Sequence, residues 1–265
     1  MTDSLFTIAA LVALVPVWLY AMRPDAKRHG LFWALLAVAA AGSVAWAVAD
    51  TAGGWRTGLA AALWVTIAAS MVIFAAVAAL AEEAWRLTPL MMPYMAALGL
   101  IAAIWRRAPE QPMAGGAPAA WLQAHILISV ATYALVTIAA VAALAAFLQE
   151  KALKEKKPTK FTRLLPSVAG CESLLVRLLV ISEIVLAFDL ATGMAIEYRE
   201  MGRFLVFDHK TILTITSFLV IGGLLLAHFR SHLRGRRAAR VVLLGYLLLT
   251  LGYPGVKFVT DVLLS

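Results

Sequence analysis

The sequence predicts an all-α fold: a polytopic transmembrane helical bundle of about eight helices with both termini on the outer side of the membrane. Three observations predict it. Of the 265 residues, 63% are hydrophobic and only 14% are charged, with a mean hydropathy of +0.87. A soluble domain carries about 45–50% apolar and about 25% charged residues. Apolar runs of roughly 20 residues, enough to cross the hydrocarbon as a helix, recur along the chain, and a backbone in lipid must satisfy its own polar groups. Lys and Arg segregate between alternate loops, which orients the bundle.

The first helix is expected at about 4–22. Asp3 precedes it, and Arg23, Lys27 and Arg28 follow. A secretory signal opens with a basic region instead, so this segment reads as an uncleaved first helix. The second, about 31–49, ends at Asp50 before the turn-forming Gly53-Gly54. The third, about 57–81, meets Glu82, Glu83 and Arg86, and the fourth, about 88–105, ends at Trp105-Arg106-Arg107. The stretch PEQPMAGGAPAA has no apolar period and reads as a loop.

The fifth helix is expected at about 121–148, with His125 near its start, followed by the basic linker EKALKEKKPTKFTR. The sixth, about 168–195, is the least apolar, carrying Glu172, Arg177, Glu183 and Asp189. The loop EYREMGRFLVFD leads to the seventh, about 209–229, and RSHLRGRRAAR leads to the eighth, about 241–263. No internal repeat recurs at a fixed period. The organisation expected is one integral membrane domain in two four-helix regions, 1–119 and 120–265.

Eight spans place both termini on one side. The loops at 23–30, 82–87, 150–166 and 230–240 hold fifteen Lys and Arg, against six (Arg56, Arg106, Arg107, Arg199, Arg203, Lys210) at the opposite ends. The richer side is cytoplasmic, so the termini are outside. The net charge of +8 is accounted for by orientation and by anionic headgroups of the bilayer, not by nucleic acid. Cys171 is the only cysteine, which excludes an internal disulfide, a CxxC redox pair and a CxxCH haem attachment.

This topology sorts the histidines. His125 and His209 each begin an inward-running helix, so both belong to the outer surface. His228, ~28 Å beyond His209 at 1.5 Å per residue, joins His232 and His29 at the inner surface. Two outer histidines on separate helices have the chemistry to bind a metal or the axial positions of a haem; the other reading is that each hydrogen-bonds near a helix start. No third His or Cys stands at zinc spacing. In the sixth helix, ionisable groups in lipid mark either a buried partner or an ion path, and Glu183 falls near mid-membrane. Lys257 and Asp261 form an i, i+4 pair near the outer surface. Gly222-Gly223 and Gly193 read as sites of close helix approach.

The segment His125-Ile126-Leu127-Ile128-Ser129-Val130-Ala131-Thr132-Tyr133-Ala134 resembles the histidine-bearing helix of the cytochrome c assembly (haem-handling, CcsA-like) membrane proteins. The basic linker, LPSVAGCESLL, HKTILTITSF and GYPGVKFVTDVLL resemble the YpjD-type branch of that superfamily. The likeness covers roughly 120–265, while the first four helices match in hydropathy alone. It differs from better-known members in lacking a tryptophan-rich outer loop: Phe207-Asp208 stands in place of Trp-Asp, and no tryptophan follows Trp121. No histidine follows His232 either.

The resemblance implies a multi-pass protein of the bacterial inner membrane that binds a non-covalent, b-type haem at its outer, periplasmic face, with apocytochrome c or another membrane assembly factor as partner. It further implies His125 and His209 as haem-iron ligands, with Lys257, Tyr133 and Lys210 as propionate or polar support. An ion-handling or transport-associated protein using Arg177, Glu183 and Asp189 is the alternative, and a non-catalytic scaffold a third. The sequence holds no nucleophilic triad, Walker loop or metalloprotease helix, so an accessory or haem-handling role is expected in place of a classical catalytic site.

Overall fold

The computed structural model describes residues 2–52, 58–106, 119–203, 208–231 and 235–259. Among these, eight helices carry the fold: α1 (Thr2–Ala21), α2 (Gly30–Thr51), α3 (Leu59–Leu80), α4 (Thr88–Ile104), α5 (Ala119–Lys154), α6 (Val168–Met201), α7 (His209–Ser231) and α8 (Arg236–Thr250). A π-helical turn, Leu251–Gly255, carries α8 on into Val256–Phe258. No strand occurs among the described residues. The expected turn at Gly53-Gly54 and most of the Pro/Gly/Ala loop fall outside them.

Six of the helices are long and apolar enough to cross a bilayer. The apolar part of α1, Leu5–Ala21, is shorter, and α6 is interrupted by its charges. Large apolar side chains face outward along the helices, among them Leu80, Ile104 and Leu219 at 87%, 69% and 66% exposure. Water does not tolerate such continuous apolar coverage, and lipid does. The chain is a multi-pass α-helical membrane protein.

Helices α1 to α4 close into one ring, α1 packing on α2 and α4, and α3 on the same two. Its core is aromatic and methionine-rich: Phe32, Trp64, Met71, Phe74, Met91 and Met95 are fully buried, and Trp46 stacks on Trp64 at 4.9 Å between centroids. Helices α5 to α8 close a second ring in chain order, and α3 against α5 joins the two. Helix α5 can take this central place because Ala139, Ala142, Ala143 and Ala145 let neighbouring helices come close. Buried hydroxyls bond back to their own helices, as Thr66 Oγ1 does to Ala62 O at 2.8 Å and Ser217 Oγ to Leu213 O at 2.8 Å. Each thereby satisfies a group that lipid would leave bare.

Three helices outrun the expected apolar spans. Helix α5 continues through Lys154, where Glu150 and Lys154 pair at 2.5 Å one turn apart. Helix α6 continues to Met201 and stops at Gly202, whose φ of +69° is the left-handed cap that glycine adopts without strain. Helix α8 begins at Arg236, through RRAAR. Hydropathy marks where a helix leaves lipid, while hydrogen bonding ends later. At about 54 and 51 Å, α5 and α6 exceed the ~30 Å hydrocarbon core and project beyond it.

The start of α6 is tied to the first ring. Ser167 caps the helix by accepting from Gly170 N–H at 3.0 Å, and donates its own N–H and hydroxyl to Glu83 at 3.0 Å each. Arg28 donates to Ala79 O at 2.7 Å, at the exposed end of α3. Both contacts sit at the Lys/Arg-rich end of the bundle.

Candidate functional site

Helices α5 and α6 run antiparallel with His125 opposite Thr192 and Ser129 opposite Asp189. Because His125 and Ser129 are four apart on α5, and Asp189, Thr192 and Gly193 lie within one turn on α6, all five meet on facing surfaces. Nδ1 of His125 lies 2.9 Å from Thr192 Oγ1 and 3.3 Å from Asp189 Oδ1. The Ser129 hydroxyl donates to the same Asp189 oxygen. The imidazole is 26% exposed and the carboxylate 12%. Nε2 makes no hydrogen bond among the described residues. The ring lies over Gly193, where an added Cβ would come within 3.2 Å of its Cε1.

This cluster forms one wall of a cavity of about 370 Å³ between α5, α6, α7 and the π-helical turn, with Ala61, Ala62 and Val65 of α3 behind it. Its size lies in the range of ligand pockets, roughly 300–1,000 Å³. Tyr133 and Tyr253 line its buried side, and Glu197, Asp208 and Lys210 also line it. The Tyr133 hydroxyl continues into a buried network, 3.1 Å from Tyr246 and 3.2 Å from Thr250, and Tyr246 bonds on to Tyr94 of α4. The second ring is thereby joined to the first through tyrosines.

The structure brings His125, Tyr133, Asp189 and Lys210 to this one cavity. His209 is exposed at the first turn of α7 and is not among the residues lining it, although both neighbours are. The Asp208-His209-Lys210 cluster has a local cause: Asp208 Oδ1 accepts from Thr211 N–H at 2.7 Å, an N-cap that fixes where α7 starts. The backbone of Lys257 lies in the short helix Val256–Phe258, and its side chain is outside what the structure describes. Phe207, His232 and Asp261 are likewise outside the described residues.

The three charges of α6 do not converge. Arg177 is exposed, and Asp189 turns to His125. Glu183 sits between α6 and α7 against Gly222, where an added Cβ would approach Oε1 to 2.7 Å. Its Oε2 is buried and has no hydrogen-bond partner among the described residues. His228 is far away in the last turn of α7, beside a small apolar crevice with Glu172 and Gly235. Among the described residues, no three His, Cys, Asp or Glu side chains gather as a metal-ion cage.

Sequence reasoning missed Thr192, and it assigned Gly193 to helix packing, whereas Gly193 faces the His125 ring. It also read Asp189 apart from His125. The available signal was spacing: Asp189, Thr192 and Gly193 stand at i, i+3 and i+4, the positions that share a helical face. What spacing lacks is the register between α5 and α6, which only packing supplies.

Comparison with known proteins gives three findings. Residues 29–264 match the family model described as cytochrome C assembly protein. The match reaches well into the first ring, where the sequence itself showed likeness in hydropathy only. The chain is also similar to a protein of Azospirillum brasilense described as an uncharacterized 28.8 kDa protein in the nifR3-like 5′ region, 54% identical over 268 residues that cover 99% of each chain. No solved structure matches the chain.

Proposed function

The chain belongs to the cytochrome c assembly protein family, and on that premise we propose that it is a haem-handling protein of the bacterial inner membrane, of the YpjD-type branch, with its haem site in the His125 cavity. The observation that carries this reading is the state of His125. One ring nitrogen is held by a carboxylate and a hydroxyl, the other makes no hydrogen bond among the described residues, and a ligand-sized cavity adjoins the ring. Imidazoles that ligate a metal almost always bond a carboxylate, carbonyl or water through the second nitrogen. That arrangement is the one expected of an imidazole that ligates iron, and His125 would so hold a b-type, non-covalent haem.

His209, exposed at the first turn of α7 between the cavity-lining Asp208 and Lys210, would have to turn toward the cavity to serve as the second iron ligand. Lys210 and Lys257 would pair with propionates and Tyr133 would donate a hydrogen bond within the cavity. When bound, haem would supply an iron centre, which the His125 imidazole would hold in a coordinated, less reactive state. The apolar α3 wall, Ala61, Ala62 and Val65, excludes water from the cavity's back. We place both termini and the cavity on the periplasmic side by the Lys/Arg excess of the opposite loops. The two rings, 1–119 and 120–265, form one membrane domain, and apocytochrome c or another assembly factor is its client.

The test is made in cells. A strain lacking this chain should lose haem-stained c-type cytochrome, wild-type chain should restore it, and His125→Ala should not. Full restoration by His125→Ala would overturn the proposed site. A second reading is favoured by one observation, Oε2 of Glu183 within the membrane, which has no partner among the described residues. If the chain handles an ion there, Glu183→Gln loses function while His125→Ala keeps it.

A further inference from the structure

The hydrogens around His125 can be assigned from its neighbours. Thr192 Oγ1 lies 2.9 Å from Phe188 O and 3.0 Å from Asp189 O, both carbonyls of its own helix. A threonine hydroxyl has one hydrogen, and here the α6 backbone takes it. Toward His125 Nδ1, at 2.9 Å, the oxygen offers only lone pairs. Asp189 Oδ1, 3.3 Å from the same nitrogen, accepts from Ser129 and adds a second acceptor. A ring nitrogen facing two acceptors must itself carry the hydrogen.

We infer that Thr192 and Asp189 are positioning residues that hold His125 as the Nδ1–H tautomer, which leaves the Nε2 lone pair for a metal. Gly193 completes the arrangement, because the absence of a Cβ leaves room for the ring edge that carries Cε1 and Nε2. One turn of α6 thus selects the coordinating nitrogen, fixes the ring plane and sets a carboxyl group behind it. An ionised Asp189 would make the imidazole a stronger donor and would favour the ferric over the ferrous state of a bound haem. The tautomer follows from the hydrogen bonds alone; its consequence for iron rests on the haem reading of the cavity.

The experiment separates the two. In haem-free protein purified in detergent, ¹⁵N spectra of labelled histidine should show His125 protonated at Nδ1 and bare at Nε2. The double variant Thr192→Val, Asp189→Asn should give a mixture of tautomers. An Nε2–H ring in the wild type, or an unchanged ring in the double variant, overturns the inference whatever binds in the cavity. In haemin-loaded protein, Asp189→Asn should weaken affinity about 10- to 100-fold. Ferric haem should lose more than ferrous, and each tenfold change in their ratio raises the one-electron potential by 59 mV. Thr192→Val, which removes no charge, should weaken binding without that rise. Equal potentials in wild type and Asp189→Asn would remove Asp189 from the role. Wild type that shows the tautomer but takes up no haemin would sink the haem reading and leave the tautomer standing.

Discussion

Gly193→Ala should leave stability nearly unchanged and bind haemin worse. Glycine in a helix interior costs roughly 0.8–1.0 kcal/mol relative to alanine, and Gly193 lies within α6 with no positive φ to preserve. The new Cβ, however, would stand 3.2 Å from His125 Cε1 and 3.7 Å from Nε2. Ordinary carbon contacts begin nearer 3.5 Å, so the ring must retreat by a few tenths of an ångström. Thr192 and Asp189 hold its other edge, so it can retreat only by twisting off its rotamer. A twist of that kind costs about 0.5–1.5 kcal/mol in the folded protein, which offsets the helix gain, and a ligand that requires the original pose loses roughly two- to tenfold in affinity. Thermal unfolding in detergent and haemin titration, on the same preparation, read the two effects separately. A variant that gains the full helix term, or one whose haemin affinity is unchanged, would refute the placement of the His125 ring over Gly193.

Three further substitutions probe other parts of the account. Glu183→Met removes a carboxylate with one buried oxygen that has no partner among the described residues, and should stabilise the bundle by about 1–3 kcal/mol in reversible unfolding while leaving haemin affinity unchanged. Ser167→Ala deletes the α6 cap and its hydroxyl link to Glu83, and should cost about 1 kcal/mol, read as a lowered unfolding midpoint. Trp64→Ala empties the centre of the first ring, where Trp64 is fully buried against Trp46, and should cost about 3–5 kcal/mol without altering the ¹⁵N signature of His125.

The helices were legible because lipid imposes one rule, an apolar run of known length, and that rule is written directly in residues such as those of 209–229. Their ends were less so: Lys154, Met201 and Arg236 are helical although polar, since a helix continues in water for as long as its residues favour it. His125 was legible as a candidate because a histidine near the end of a membrane helix is chemically uncommon. Its partners were not, because Asp189 and Thr192 lie 64 and 67 residues away and meet it only through the α5–α6 register. Asp208 shows the converse. It stands beside His209 and Lys210 in the sequence, and its carboxylate caps α7.

The central claim, a haem site built on His125, is tested most directly by the Soret absorption of the purified protein titrated with haemin. A saturable Soret band is expected in the wild type, collapsing in His125→Ala and shifting in His209→Ala if His209 supplies the second ligand. A wild-type protein that develops no band, or a band of equal position and affinity in His125→Ala, would contradict it.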